Sequence, residues 1–400
     1  MKNKMIFVLS LLASFNFLES KRDFVKREFV KLDNSFGHKN SSMHLNNWKT
    51  LNSATSLNLT IVTGSLNNTQ LVASYYQSIE GLTLCDQTDM QLKLSASVEV
   101  ISQVFETVFR EYDCENSTRK TCYASNSEVS VPASIRSAII GILGLEQVLT
   151  VKPNYHKNQT PLNKTSTGDF KPKASYPYFI GSQAAQVYGF PISDGSGVRI
   201  GIITLGGYFN QSDLDNYFNK FNLGTAPSIN IVYVDGATMD FVDPNDESGE
   251  NYLDVEIIAS IVPKASITLY FAPNTFAGFY DAISLALQQN DVVSLSWGTS
   301  ESGLSSYWSS FESLLSTNSK VSIFIATGDA GSSGGVGFPA SCPSAIGKNE
   351  INAETKKSSL FFDSFNLSSY DLSITLLNFN FLIKLNSKSY FKNKVAVAQR

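Results

Sequence analysis

The chain has 400 residues, a formal net charge of −4 at pH 7, 42% apolar and 16% charged residues, three His and four Cys. The length suits two or three domains, the apolar fraction suits a globular core, and the mildly acidic balance gives no support for nucleic-acid binding. The histidines are His38, His44 and His156. Chemistry placed in the second half therefore has no histidine base or ligand, which excludes Ser-His-Asp and Cys-His triads and His-rich zinc sites there.

Lys2 and Lys4 precede the apolar run Met5–Phe15. This is the pattern of a secretory signal peptide, predicted to end near Ser20. The run is too short to span a bilayer, which takes about twenty residues, and no membrane span is expected elsewhere. Asn40, Asn58, Asn67, Asn116, Asn158, Asn163, Asn210 and Asn366 each stand two positions before Ser or Thr, with no Pro between. With the leader, these sequons predict a glycosylated protein of the secretory pathway. Cys114 and Cys122 are close enough in sequence to close a small disulfide loop, with two free thiols as the alternative.

Residues 21–50 are polar and charged, and residues 57–150 read as an α/β module. Leu57–Thr63 is predicted as a strand, and Gln70–Ser78 and Val98–Phe109 as helices. Val131–Leu145 is predicted as a helix opened by Pro132 and broken by its glycines. The Pro- and Lys-bearing stretch 152–173 has no core-forming pattern and reads as an exposed linker where a protease would cut. From Val198 onward, strands and helices alternate. Strands are predicted at Val198–Leu205, Ile229–Val234, Ile267–Ala272, Val292–Trp297 and Val321–Ala326. Helices are predicted at Ser212–Phe221, Glu250–Val262, Phe276–Gln289 and Ser305–Thr317. Apolar strands joined through helices make a parallel sheet covered on both faces, with ligands at the carboxyl ends of its strands.

The helix at Glu250–Val262 carries the chemical argument. At about 100° per residue, Leu253, Val255, Ile257, Ile258, Ile261 and Val262 form a broad apolar stripe. Glu250 and Asp254 lie in the middle of it, one turn apart, whereas Glu256 points away as an ordinary solvated charge. Two acids on a buried face are costly unless they share a proton or have partners, and such a pair suits proton transfer. Taken singly, Glu250 reads equally as a first-turn acid complementing the helix dipole and Asp254 as a salt-bridged acid at the core edge. A third acid, Asp329, follows the strand ending at Ala326 and opens a glycine-rich loop. There it reads as a donor to a developing oxyanion if protonated, or as a turn residue. Gly195-x-Gly precedes a strand instead of following one, and Gly331–Gly337 lacks the Lys-Ser/Thr of a phosphate loop.

Three segments together resemble the sedolisins, the serine-carboxyl peptidases that include the lysosomal tripeptidyl peptidase. They are Glu250-x-x-x-Asp254, Val292-Val-Ser-Leu-Ser-Trp-Gly-x-x-Glu301, and Ala326-Thr-Gly-Asp329 followed by Gly337-Phe-Pro-Ala-Ser341. Residues 57–150, with the Pro132 segment, are similar to that family's activation prodomain. The resemblance implies a subtilisin-like fold preceded by an α+β prodomain. It implies Glu250 as general base, Asp254 orienting it, Asp329 in the oxyanion hole, and Ser296, Trp297 and Gly298 along the substrate cleft. It also implies peptide or protein substrates, the prodomain as an intramolecular partner, a calcium ion, and an acidic lysosomal or extracellular workplace. The family's nucleophile lies in a Gly-Thr-Ser motif beyond the Phe-Pro-Ala-Ser segment. After Gly347 this chain has no Gly and no Pro, so neither that motif nor the C-terminal calcium site is present. Ser300 stands too early to replace the nucleophile.

The resulting division is a signal peptide at 1–20, prodomain at 21–150, linker at 151–173, the N-terminal part of a peptidase domain at 174–347, and a divergent tail at 348–400. The simplest reading of the tail is translated intron or frameshifted sequence. Two functions follow: a proenzyme of an acid-active peptidase, inactive as written, or a non-catalytic fragment that binds or inhibits a full-length relative.

Overall fold

The computed structural model describes residues 28–32, 49–113, 121–147, 151–153, 180–191, 193–242, 247–302, 304–328 and 335–345. The expected signal peptide, the linker beyond Pro153, Asp329, Cys114, Asn116, Asn158, Asn163 and the tail lie outside the described residues. The chain forms two compact units, the first ending at Glu146 and the second running on from Gln147.

In the first unit the elements are β1 (Phe29–Lys31), β2 (Lys49–Thr50), β3 (Ser56–Val62), α1 (Leu66–Tyr76), β4 (Thr83–Gln87) and β5 (Gln91–Ser97). They continue with α2 (Val98–Val104), β6 (Phe109–Asp113), β7 (Thr121–Ser125), β8 (Ser130–Pro132), α3 (Ala133–Arg136) and β9 (Gly141–Leu143). The main sheet is antiparallel in the order β4-β5-β3-β9. Its register sets Leu57, Leu59 and Ile61 opposite Ala96, Leu94 and Leu92. Strand alternation then puts all six on one face, where Val72, Tyr76, Ile101, Val104 and Phe105 complete a core. Ser65 and Ser97 cap α1 and α2, each accepting from a backbone N–H at 3.3 Å.

Two predicted elements of this unit are corrected. The helix from Val98 stops at Val104, because Glu106 takes a left-handed φ of 49° and Phe109 opens a strand. Val131–Leu145 is not one helix but β8, the short α3 and β9. Its segment Gly141–Leu143 gains a ladder with β3, and a short apolar run does not distinguish strand from helix by periodicity.

The second unit contains β10 (Lys152–Pro153), α4 (Gly181–Val187), β11 (Arg199–Thr204), α5 (Gln211–Phe221), β12 (Asn230–Tyr233) and α6 (Ser248–Ile261). These are followed by β13 (Ser266–Phe271), α7 (Phe276–Gln289), β14 (Val292–Leu295), β15 (Trp297–Ser300), α8 (Ser305–Thr317), β16 (Ser322–Ile325) and β17 (Gly337–Phe338). Five strands form a sheet in the order β12-β13-β11-β14-β16, every pair parallel. Ile200 and Ile202 share a core with Leu214 and Phe218 of α5 and Val255, Ile258 and Ala259 of α6, while α7 packs against β11, β13 and β14. The predicted strand through Trp297 divides at Ser296. Leu295 ends the parallel sheet, and β15 turns into a separate antiparallel sheet, β10-β15-β17. The fold is thus an α+β unit followed by an α/β unit whose parallel sheet is covered by helices.

Candidate active site

Helix α6 is seated on the carboxyl end of β11 by backbone that carries no side chain. Gly207 has φ 67°, and a Cβ there would lie 2.5 Å from the Ser248 nitrogen. The Ser248 hydroxyl accepts from Tyr208 N–H at 2.9 Å. Asn251 fastens the same loop. Its amide donates to the carbonyls of Gly206 (2.9 Å) and Tyr208 (3.3 Å), and its oxygen accepts from the Thr204 hydroxyl.

One residue before this anchor and three after it, the helix presents acids. Glu250 is fully buried and Asp254 is 1% exposed, one turn further on. Asp254 Oδ1 accepts from the Ser296 hydroxyl at 2.8 Å. Ile203 pairs with Leu295, so Thr204 and Ser296 follow at adjacent strand ends. Helix α6 therefore bridges two neighbouring strand ends, through Asn251 to β11 and through Asp254 to β14. Trp297, beside Ser296, is completely buried, and its indole N–H has no hydrogen-bond partner among the described residues. The structure thus brings Asp254 and Ser296 together and places Glu250 and Trp297 as their buried chain neighbours.

Ser296→Ala removes the donor from a buried carboxyl group. The expected result is a loss of about 1–3 kcal/mol in unfolding free energy, read by urea denaturation. A loss below about 0.5 kcal/mol would show that this hydrogen bond does not matter to Asp254.

Glu256 departs from its predicted place. It is half-buried where α5 packs on α6, not freely solvated. Burial pushes its carboxyl up to about 7, against the opposing pull of Lys220, with the Asp213 charge adding to the rise. The apolar stripe is rotated to match. Val255, Ile258 and Val262 are fully buried, whereas Leu253, Ile257 and Ile261 are half-buried. Ile257 and Ser260 instead lie beneath Gly181 of α4, an element that the helix's own periodicity does not reveal.

Cys122 is disulfide-bonded, while Cys85 carries a free, exposed thiol. Asn58, Asn67 and Asn210 are exposed, and Asn210 caps α5 through its side-chain oxygen. Among the described residues no three His, Cys, Asp or Glu side chains converge where a metal ion would sit. Those residues do not fit the implied calcium ion. No helix among them is long and apolar enough to cross a membrane.

Residues 60–148 match the family model "Pro-kumamolisin, activation domain". Over 274 residues the chain is 33% identical to kumamolisin from Bacillus sp. (strain MN-32), a match covering 62% of this chain and 47% of kumamolisin. The chain is similar to the sedolisin family. The chain spans about half the length of the curated relative it matches. Among solved structures, Pseudomonas sedolisin, a serine-carboxyl proteinase complexed with pseudo-iodotyrostatin, is 20% identical with a TM-score of 0.36, covering 42% of this chain and 52% of its own. The epidermin leader peptide processing serine protease of Staphylococcus aureus is 12% identical with a TM-score of 0.36, covering 69% and 61%.

Sequence reasoning singled out Glu250, Asp254 and Ser296–Gly298. It missed Thr204 and Asn251, whose role depends on which strand end the helix meets. It also missed Asn274, which sits in a Pro-Asn-Thr turn between β13 and α7 and reads in sequence only as a connection.

Proposed function

We propose that this chain is the proenzyme form of an acid-active serine-carboxyl peptidase, with the nucleophile missing from its sequence. Glu250 is the general base, Asp254 holds and polarises it, and Asp329 lines the oxyanion hole. Ser296, Trp297 and Gly298 border the substrate. The observation that carries this reading is the burial of Glu250 and Asp254 one turn apart on α6, with Asp254 fixed to a strand end by Ser296. Two buried carboxyl groups one helical turn apart resist being charged together, so one is kept ready to exchange a proton in acid. The complete reaction would pass through an acyl-enzyme on a serine. No Gly-Thr-Ser motif follows Ser341, so the chain binds peptide without cleaving it. By the same resemblance the parent activity is that of an endopeptidase or a tripeptidyl peptidase in a lysosomal or extracellular acidic space, after removal of the prodomain at the linker and with glycans on exposed sequons.

The test is incubation of the purified chain with a peptide substrate at pH 4. No turnover above that of Glu250→Gln is expected. Turnover abolished by Glu250→Gln would establish the peptidase and overturn the inactive form. The first unit has a core of its own, which favours a second reading as a binder of full-length relatives. Inhibition of kumamolisin by the intact chain would support that reading.

A further inference from the structure

From Ile200 to Ser319 the chain has two basic residues, Lys220 and Lys264. Lys264 precedes β13 and pairs with Asp194 at 2.9 Å. Arg199 opens β11 and pairs at 2.8 Å with Asp291, which precedes β14. Lys220 lies in the last turn of α5, the helix that returns from the carboxyl end of β11 to the amino end of β12. These three cations therefore gather where the parallel strands begin. The carboxyl end of β11 carries acids instead. Gly206 has no Cβ, and the Glu247 carboxylate occupies the place of one. Asp240 N–H donates to the Gly207 carbonyl at 2.9 Å, which brings a second acid to the same turn.

Beside these acids the chain holds out apolar side chains. Val242 is 83% and Phe241 73% exposed, more than any other large apolar residue among the described ones. A lone exposed apolar residue needs no explanation, but two neighbours flanked by carboxylates form a surface. Their loop is held in place. Val242 N–H donates to Asp240 Oδ1 at 3.0 Å, and the Phe241 ring lies 5.4 Å from that of Tyr208. Tyr208 in turn meets Tyr252 edge-on at 6.0 Å. Aromatic faces and carboxylates both attract cations. A Lys or Arg side chain suits the two halves of this surface at once, because its stem is aliphatic and its head is charged. Little ordering cost remains when such a side chain arrives, since the loop is already fixed.

We propose that Asp240–Val242, with Tyr208 and Glu247, form a docking surface for a peptide bearing a Lys or Arg side chain, whose stem lies on Phe241 and Val242 and whose charged head meets the two carboxylates. Glu247 caps α6 one turn before Glu250, so a peptide docked there passes beside the proposed general base. That the docked peptide is a substrate rests on the peptidase reading; its capture does not.

Fluorescence anisotropy with the full chain at pH 6 and low salt tests this. The probe is the labelled, N-acetylated peptide Ala-Ala-Lys-Val-Ala-Ala, and its control carries Glu in place of Lys. The Lys peptide is expected to bind about tenfold more tightly than the control, and to weaken severalfold when salt is raised to about 0.3 M. Phe241→Ser, and Asp240→Asn, which keeps an acceptor for Val242 N–H, are each expected to weaken it about two- to fivefold. Equal affinity for the two peptides, binding of neither, or unchanged affinity in both variants would overturn the proposal. Capture of an unacetylated peptide without Lys, and not of the acetylated Lys peptide, would place the cation at a chain terminus and overturn the side-chain assignment. The peptide comparison uses the unaltered chain, so it decides even if a variant does not fold. No arm measures cleavage, so absence of turnover leaves the docking surface standing, and a failed docking surface leaves Glu250 and Asp254 untouched.

Discussion

Phe311→Ala is expected to cost about 3–5 kcal/mol of stability, the range for deleting a buried aromatic side chain. Phe311 is fully buried. Its ring lies 4.9 Å from Phe338, 5.5 Å from Tyr280, 5.6 Å from Phe279 and 6.3 Å from Phe276. The cavity left behind is bounded by α7 and β17, rigid elements that cannot both move in to fill it. Phe338 in β17 pairs with Thr299 of β15, so the damage is also expected to reach the strand that begins at Trp297. Urea denaturation gives the energy, and hydrogen exchange along β15 gives the reach. A loss under 1 kcal/mol, or unaltered exchange in β15, would show that α8 does not support this strand.

The second large effect is a dependence on pH centred on Glu256. Its carboxyl titrates near 4.5 in an unfolded chain and near 7 in the folded protein. Between those values the folded state holds the proton more firmly, so stability is full below about pH 4.5 and declines as pH rises through about 7. Allowing for water on its exposed side, the decline is about 1–2 kcal/mol. Glu256→Gln carries no titrating group and is expected to remove this part of the slope, leaving the variant more stable than the parent at pH 7.5 and equal to it at pH 4. Thermal unfolding of both proteins from pH 4 to 8 measures the difference. Parallel curves would sink the assignment. The result matters for function because Glu256 lies on α6, the helix that carries Glu250 and Asp254. Acid conditions would then firm the helix on which the proposed chemistry depends.

The amphipathic helices were the most legible part of the fold. Phe276–Gln289 and Ser305–Thr317 appear with their predicted ends, because their apolar spacing agrees with what they pack against. The parallel sheet followed from strands that are apolar throughout. Other features depended on partners distant in sequence. Gly141–Leu143 becomes a strand only because β3 offers a ladder. Ser296 is a break point because Asp254 reaches it from above the sheet. Glu256 looked solvated because a helical wheel knows nothing of α5. At the candidate site, the pairing of Glu250 with Asp254 was visible as spacing, whereas Asn274 was not. A two-sided contact between a turn and a segment 123 residues earlier leaves no periodic trace.

The sheet order also constrains the sequence of assembly during synthesis. Strand β11 emerges first and ends in the middle, while β12 emerges second and has no contact with it in the sheet. When β12 leaves the ribosome, its hydrogen-bonding partner has not been made. It must wait through α6 until β13 arrives and pairs with both. The helix that carries the two acids is therefore part of the crossover that closes the first three strands, and a nascent chain stalled before Phe271 would hold Glu250 and Asp254 on a helix with no finished sheet beneath it.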